Sequence, residues 1–589
     1  MKRILLYVHF NKYHKVSDHV YYQLEQMRAL FSKIVFISNS DIHQEDLEQL
    51  EQRHLMDQFI QRHNKGYDFA AWHDGMKALG CEHLVDFDSI TIMNDTCFGP
   101  LWDMEPYYLK YEADEAVDFW GMTNNRATKA FKEHIQSYFI SFKKSLVHSK
   151  EFRQFWENIV ELTDVQDVIH NYETRITTVF VEAGFRYKTV FDTTKEDSSS
   201  MLHADFSYYN PTAILKHHVP FIKVKAIDAN QHIAPYLLDF IDQKTSYPAS
   251  LIVDHMSQVH LPDAKYLLAH KYLPNQPISI APSKKIAVHL HVFYVDLLSE
   301  FLEAFSHFHF DYDLLITTDS KAKKAEIKGI LRESGASADI LVTGNIGRDV
   351  LPMLTLKERL SQYDYIGHFH TKKSKEADFW AGQSWRTELI DMMVKPADQI
   401  LTALAADAIG IVIADIPSFF RFNKIVDAWN EHLIAPEMNQ LWQAMGLTKN
   451  IDFQTMDTFV MSYGTFVWFK YDALKPLFDL DLSEADIPAE PLPQNSILHA
   501  IERLLIYIAW DRHYDFRISR NEKLLTPFID NKLLNLREGS VPHTYVDFDY
   551  MGGIKGALKY IVIGPAKAIR YIIKRLLKDA FRRMNRENI

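Results

Sequence analysis

The sequence predicts an α/β protein: two related Rossmann-type domains in tandem, followed by an amphipathic helical tail. Three observations predict it. Short apolar runs alternate with helix-period stretches, which is the signature of a largely parallel sheet covered on both faces. The same order of landmarks returns about 280 residues later. Beyond residue 553 the chain changes both its charge and its period.

In the first half, Ile4–Phe10 reads as a strand, Val16–Leu30 as an amphipathic helix and Ile34–Ser38 as a second strand. A helical stretch follows at Gln44–Arg53. Then come the loop 63-HNKGYDFAAWHDG-75, a helix to about Leu79, and a strand Ser89–Met93 ending at Asn94-Asp95-Thr96. Ligands of such sheets bind beyond the carboxyl ends of the strands. Asn39, the loop Asn64–Asp68 and Asp95 all follow strands, so they are expected to converge on one crevice.

The second half repeats the order. Lys285–Val292 and Tyr312–Thr317 read as strands, and 345-NIGRDVLPM-353 echoes 64-NKGYDFAAW-72. The strand Tyr363–Phe369 runs into His370-Thr371-Lys372. Downstream, 137-SYFISFKKSLVHSKEF-152 matches 462-SYGTFVWFKYDALKPL-477, and 171-NYETRITTVFVEAGFRY-187 matches 499-HAIERLLIYIAWDRHYDF-516. Five landmarks in one order indicate a duplication. Eight prolines between Pro211 and Pro282 suit a connector of short helices. The expected division is therefore a first domain at 1–203, a connector at 204–283, a second domain at 284–536 and a tail at 537–589.

Composition excludes several classes. Two cysteines, Cys81 and Cys97, make neither a disulfide framework nor a cysteine-rich zinc site, and they suit a reducing cytoplasm. The start MKRILLYVHFNKYH is too briefly apolar for a signal peptide, and no stretch approaches the roughly 20 apolar residues of a membrane span. From Ile554 onward ten Lys/Arg face only Asp579 and Glu587, a net of +8 against −12 for the whole chain, so the first 553 residues carry −20. Acidic domains argue against nucleic acid.

Several constellations could carry chemistry. Gly66 stands where the backbone must turn tightly or approach a ligand, while Asn64 and Asp68 can bond a ribose, a base edge or their own turn. Asp95 at a strand end can hold Mg²⁺ or Mn²⁺ against a diphosphate, or the triplet can be a plain Asx turn. Glu173, early in a helix, can take a proton from an acceptor hydroxyl or complement the helix dipole. Glu502 stands at the matching place. Asn345, Gly347 and Asp349 repeat the loop. His368 and His370 share one face of their strand; His370 could contact a phosphate, and Lys372 could replace a metal with a fixed cation. The other histidines lack metal-ligand spacing and read as structural or surface groups.

These motifs, in this order, resemble inverting GT-A glycosyltransferases, and more closely the rhamnan synthesis protein F family of bacterial cell-wall polysaccharide assembly. The carrying stretches are 88-DSITIMNDTCFGPLW-102, 134-HIQSYFISFKKSLVHSKEFRQFW-156, 345-NIGRDVLP-352, 366-IGHFHTKKS-374 and 463-YGTFVWFK-470. The resemblance implies two GT-A-like domains that transfer L-rhamnose, with inversion, from dTDP-β-L-rhamnose to a lipid-linked rhamnan at the cytoplasmic face. Asn64, Gly66 and Asp68 would line the nucleotide pocket, Asp95 would hold the metal and Glu173 would be the base. Asn94-Asp95 in place of a full Asp-x-Asp leaves one ligand fewer. His370-Thr371-Lys372 has no carboxylate, so the second half is metal-independent or a non-catalytic acceptor-binding copy. The competing reading is a transferase-derived scaffold that holds glycan or other assembly enzymes at the membrane.

In the tail, Ile569, Ile572, Ile573, Leu576, Leu577, Ala580, Phe581 and Met584 form one apolar stripe among basic residues. Pro565 is expected to part this helix from a shorter one at Ile554–Ile563. A basic amphipathic helix binds an anionic bilayer, which makes the protein peripheral on the inner face of the membrane; packing on its own domain is the alternative.

Overall fold

A computed structural model describes residues 1–520, apart from 81–82, 129–130, 199–200, 202–204, 282, 372, 374–378, 419–427, 457, 491 and 494. It also describes 554–555, 558, 561–566, 569–570, 572–573 and 576. The chain divides into two compact units, Met1–Tyr272 and Leu273–Ile589.

The first unit is built on β1 (Arg3–His9), β2 (Lys33–Ser38), β3 (Gln58–Gln61), β4 (Ser89–Asn94), β5 (Phe119–Asn125), β6 (Phe139–Lys143) and β7 (Tyr187–Phe191). Their order across the sheet is β3-β2-β1-β4-β6-β5-β7, and only β6 runs against its neighbours. The short strand His134–Ile135 adds to β5. Ile4 to Val8 are all buried, as an unbroken apolar run must be in a central parallel strand with helices on both faces.

The stretch read as a connector folds into short helices, among them Pro211–Lys216, Ala234–Lys244 and Ala249–Val259. Up to Tyr272 it belongs to the first unit, because its apolar faces bury Phe98 and Leu101 of that unit against Leu215, Ile227 and Leu237.

The second unit repeats the plan with β8 (Ile286–His291), β9 (Asp313–Thr318), β10 (Asp339–Val342), β11 (Tyr365–His370), β12 (Ile409–Ala414), β13 (Val467–Phe469) and β14 (Asp515–Ser519). Its order is β10-β9-β8-β11-β13-β12-β14, again with one antiparallel strand, β13. Backbone bonds agree residue by residue. Asp95 N–H donates to Val8 O at 3.1 Å, as Thr371 N–H does to His291 O at 2.9 Å. Lys143 N–H donates to Asp118 O, as Lys470 N–H does to Gly410 O, both at 2.9 Å.

The same register corrects one alignment. Thr91 faces Ser141 and its counterpart Gly367 faces Trp468, so Ser137 corresponds to Gly464 and not to Ser462. Identical letters at 137–138 and 462–463 favoured the wrong pairing; sheet register decides it.

Of the tail, every described position is helical, including 561–566 straight through Pro565, where a break was expected. Residues 577–589, and with them Leu577, Ala580, Phe581 and Met584, lie outside the described residues.

Candidate functional site

In the first unit the chain leaves β3, passes Asn64 and enters the helix Tyr67–Leu79 through Gly66 at φ 68 and Tyr67 at φ 50. A Cβ on Gly66 would lie 2.5 Å from Ala70 Cβ and 3.0 Å from Glu161 Cα. The glycine is therefore demanded by the turn and by a crossing segment of the protein itself. The second unit repeats this with Gly347 at φ 80 and Arg348 at φ 52, where a Cβ would meet Leu351 Cβ at 2.3 Å.

The turn delivers Asp68, in the first helical turn, to Asn94 at the end of β4, whose Nδ2 donates to Asp68 Oδ2 at 2.7 Å. Asn94 Oδ1 accepts from Thr96 Oγ1 at 2.6 Å, so the triplet does form a local Asx-type bond. Asp95 is left to look elsewhere. Its Oδ2 accepts the Phe10 N–H at 3.0 Å and lies 3.9 Å from His9 Nε2. Arg62 ties the floor together, donating to Asn39 Oδ1 at 2.7 Å, Asp74 Oδ2 at 2.9 Å, Lys65 O at 2.9 Å and Glu161 Oε1 at 3.2 Å. Glu173 closes a single π-helical turn, Ile169–Glu173, ahead of the helix Thr174–Glu182, and its Oε1 accepts Ser137 N–H at 3.4 Å. Ser137 neighbours Tyr138, whose carbonyl accepts Asn94 N–H, so Glu173 stands at the same end of the sheet.

Burial dominates the electrostatics. Desolvation, reinforced by Asp68, pushes Asp95 up to about 8 against the Phe10 bond. Desolvation also lifts Asp68 to about 6, with Glu173 adding to the rise while Asn94 and Arg62 oppose it. Desolvation drives His9 down to about 4, so His9 and Asp95 form a contact between neutral groups and not an ion pair. One carboxyl held out of its charged state, beside a second raised toward neutrality, suits a site that awaits positive charge.

Among the described residues no three His, Cys, Asp or Glu side chains are grouped to hold a metal. Asp95 Oδ2 is engaged by the Phe10 N–H, so the oxygen this carboxyl could offer a hard cation is the other one, Oδ1.

In the second unit Asp349 corresponds to Asp68, and Glu502 to Glu173. Glu502 Oε1 accepts Gly464 N–H at 2.6 Å, the equivalent of the Ser137 bond. At the place of Asp95 stands Thr371, whose Oγ1 takes Phe293 and Tyr294 N–H, both at 2.9 Å, where Asp95 takes Phe10. His370 Nε2 donates to Gly464 O at 2.6 Å, which turns that nitrogen away from the phosphate contact expected of it. Desolvation alone would raise Asp349; His370, His368 and a bond from Thr465 Oγ1 outweigh it and hold the carboxyl well below its ordinary range. Gly464 at φ 75 and Thr465 at φ 56 are both left-handed, strain for the threonine alone, in a turn that joins Glu502, His370 and Asp349.

The structure thus brings together Asp68, Asp95 and Glu173 in one unit, and Asp349, His370 and Glu502 in the other. Asn64 is half-buried and Asn345 exposed in their loops, and Lys372 lies outside the described residues. Sequence reasoning missed His9 and Arg62. It also read as scattered a set of histidines that are connected: His289 and His291 on β8 pair in register with His368 and His370 on β11. Two His-x-His patterns closing neighbouring strands were the available signal.

Twin mixed sheets of one order, each with carboxylates gathered at its strand ends, define the class: tandem Rossmann-type α/β domains. The chain belongs to the rhamnan synthesis protein F family, whose sequence profile matches residues 34–514.

Among curated relatives, the uncharacterized protein WxcX of Xanthomonas campestris is 26% identical over 265 residues, which is 41% of this chain and 35% of the relative. The uncharacterized protein y4gN of Sinorhizobium fredii is 29% identical over 178 residues, 30% of this chain and 45% of the relative. The chain therefore spans less than half the length of these relatives. Among solved structures, the glycosyltransferase GlyE of Streptococcus pneumoniae aligns over 64% of this chain and 87% of its own, at 13% identity and a TM-score of 0.22. That likeness is too slight to bear on function.

Proposed function

We propose that the protein is a glycosyltransferase of polysaccharide synthesis that moves L-rhamnose from dTDP-β-L-rhamnose to a lipid-linked rhamnan chain, inverting the anomeric centre. Family membership supports the process. The observation that carries the chemistry is the crevice of the first unit, where Asp95 and Asp68 sit desolvated beside Glu173.

Asp95 would hold a Mg²⁺ or Mn²⁺ ion, which when bound offsets the diphosphate charge. Asp68, fixed by Asn94, and the Gly66 turn would border the nucleotide. Glu173 would accept the proton of an acceptor hydroxyl. As that oxygen bonds to C1 of the sugar, the C1–oxygen bond to the diphosphate breaks and dTDP leaves with the electron pair. The Ser137 N–H would keep the Glu173 carboxylate aimed through the step.

The tail would bring this crevice to a lipid-anchored acceptor. Ile554, Leu558, Ile561, Val562, Ile569, Ile572, Ile573 and Leu576 are all exposed, and among the described residues no helix is long and apolar enough to cross a membrane. Apolar side chains on a basic helix suit the interface of an anionic bilayer.

The test is direct. The full chain is incubated with dTDP-rhamnose and a rhamnosylated lipid, and dTDP release and glycan extension are followed. Glu173→Gln should lower the rate about 10²–10⁴-fold while donor binding is kept. Donor binding without extension by the wild-type chain would favour the scaffold reading.

A further inference from the structure

Beneath the crevice of the second unit lies a buried polar chain with no counterpart in the first. His289, His291, Thr317 and His368 are each 3% exposed or less. Strand register places them where the first unit has Leu6, Val8, Ile37 and Ile92, all buried and apolar. An apolar face is the cheaper solution, since buried polar groups cost free energy unless fully bonded. Four such exchanges on one face of one copy indicate a task other than stability.

The bonds have a direction. With Asp349 ionised, His368 Nε2 donates to its Oδ2, at 3.4 Å. The bare Nδ1 of His368 then accepts from His289 Nδ1 at 2.8 Å. His289 Nε2, left bare, accepts the Thr317 hydroxyl proton at 2.9 Å. Thr317 Oγ1 in turn accepts from His291 Nδ1, also at 2.9 Å. With His368 carrying a single proton, the reverse direction would aim its bare nitrogen at a carboxylate. Counted through, the chain ends on His291 Nε2, a nitrogen without its proton. That atom is buried and, among the described residues, has no hydrogen-bond partner. Desolvation holds His289 well below its ordinary range and takes His291 down to about 4, so neither of these two rings takes a second proton at neutral pH.

We propose that Asp349, His368, His289 and Thr317 form a positioning relay that presents His291 Nε2 as a fixed acceptor for a hydroxyl of a sugar bound in the second crevice, without a metal. His291 closes its strand opposite His370, which in turn donates to the Gly464–Thr465 turn that holds Glu502. Thr371, in the place of Asp95, offers no carboxylate to a cation. An acceptor nitrogen selects a donor group, and a hydroxyl is the donor a sugar carries. That the ligand is a sugar rests on the function proposed above. Its source is either the sugar of the nucleotide donor or the acceptor glycan.

The test uses the full chain labelled with ¹⁵N-histidine, in EDTA, with the His291 signals assigned by loss in His291→Val. We expect His291 protonated at Nδ1 and bare at Nε2. Titration with dTDP-rhamnose in one arm, and a rhamnose oligosaccharide in the other, should shift the Nε2 signal in the arm that supplies the ligand. Thr317→Val cuts the relay; it should return His291 to the Nε2-protonated tautomer and weaken that sugar about tenfold, the worth of one hydrogen bond. The fourfold variant His289→Leu, His291→Val, Thr317→Ile and His368→Ile copies the first unit, and should unfold at no lower denaturant concentration yet lose the sugar in EDTA. A purely structural network predicts the opposite pair of results. A protonated Nε2 in the wild-type chain, no shift with either sugar, or unchanged sugar binding in the fourfold variant would overturn the proposal. Rhamnose transfer, scored in Glu173→Gln, stands or falls separately.

Discussion

Asp95→Asn should stabilise the first unit, and do so more as pH rises. The folded protein binds the Asp95 proton up to about pH 8, whereas an unfolded aspartate releases it near 3.8. Between those values the folded state carries the extra proton, so stability falls as pH rises, and the loss is complete above the folded value. The full span corresponds to roughly 6 kcal/mol at about 1.36 kcal/mol per pH unit. The side chain is 15% exposed, and water admitted on ionisation recovers part of this, so a gain of about 2–3 kcal/mol is expected at pH 8.5. At pH 4 the gain should vanish. Asn keeps an oxygen for the Phe10 N–H, so no bond is lost with the charge.

Native-state hydrogen exchange of the β1 amides reports on this unit alone. Adding Mn²⁺ to one hundred times its dissociation constant should raise wild-type stability by about 2.7 kcal/mol and leave Asp95→Asn unmoved. A difference that stays flat from pH 5 to 9, or an Asn variant less stable at pH 9, would refute the desolvation argument.

Glu502→Gln, assayed for each glycosidic linkage in the product, should abolish one linkage if the second unit turns over; a product identical to wild type would mark that unit as a binding copy. Gly66→Ala forces alanine to φ 68 against Glu161 Cα and should cost about 2 kcal/mol or more by denaturation. Arg62→Met removes four hydrogen bonds from the crevice floor and should cost about 2–4 kcal/mol, with donor affinity falling as Asn39 and Asp68 lose their neighbour. Truncation after Gly553 should release the protein from anionic vesicles and impair extension of lipid-linked glycan while donor hydrolysis continues; vesicle binding by the truncated chain would refute the tail's role.

The strands that form the centre of each sheet were legible because they are unbroken apolar runs buried on both faces. The edge strands Gln58–Gln61 and Asp339–Val342 were not, since an edge needs few apolar residues: the first is Gln-Phe-Ile-Gln. Asp68, Asp95 and Glu173 were legible because strand ends and helix starts localise them without tertiary detail. Arg62 and His9 were not, because their importance lies in bonds to residues 12 to 99 positions away. The connector was misplaced for a physical reason. Prolines mark helix starts as readily as linkers, and Pro211, Pro235 and Pro248 each sit at the head of a short helix that packs on the first unit.

That packing decides where the protein can be cut. One residue beyond Asp95 the chain is clasped: Thr96 O accepts Val224 N–H at 2.9 Å, and Cys97–Phe98 pairs antiparallel with Ile222–Lys223. Leu101 N–H donates to Pro220 O at 2.7 Å, and Tyr22 OH to Ser246 O at 3.2 Å. A fragment ending at residue 203 would strip this brace from the lip of the crevice and leave Phe98 and Leu101 facing water. Dissection of the chain into halves, for crystallisation or for separate assay, should therefore cut after Tyr272. A shorter piece would report on a loosened lip and not on the chemistry of Asp95.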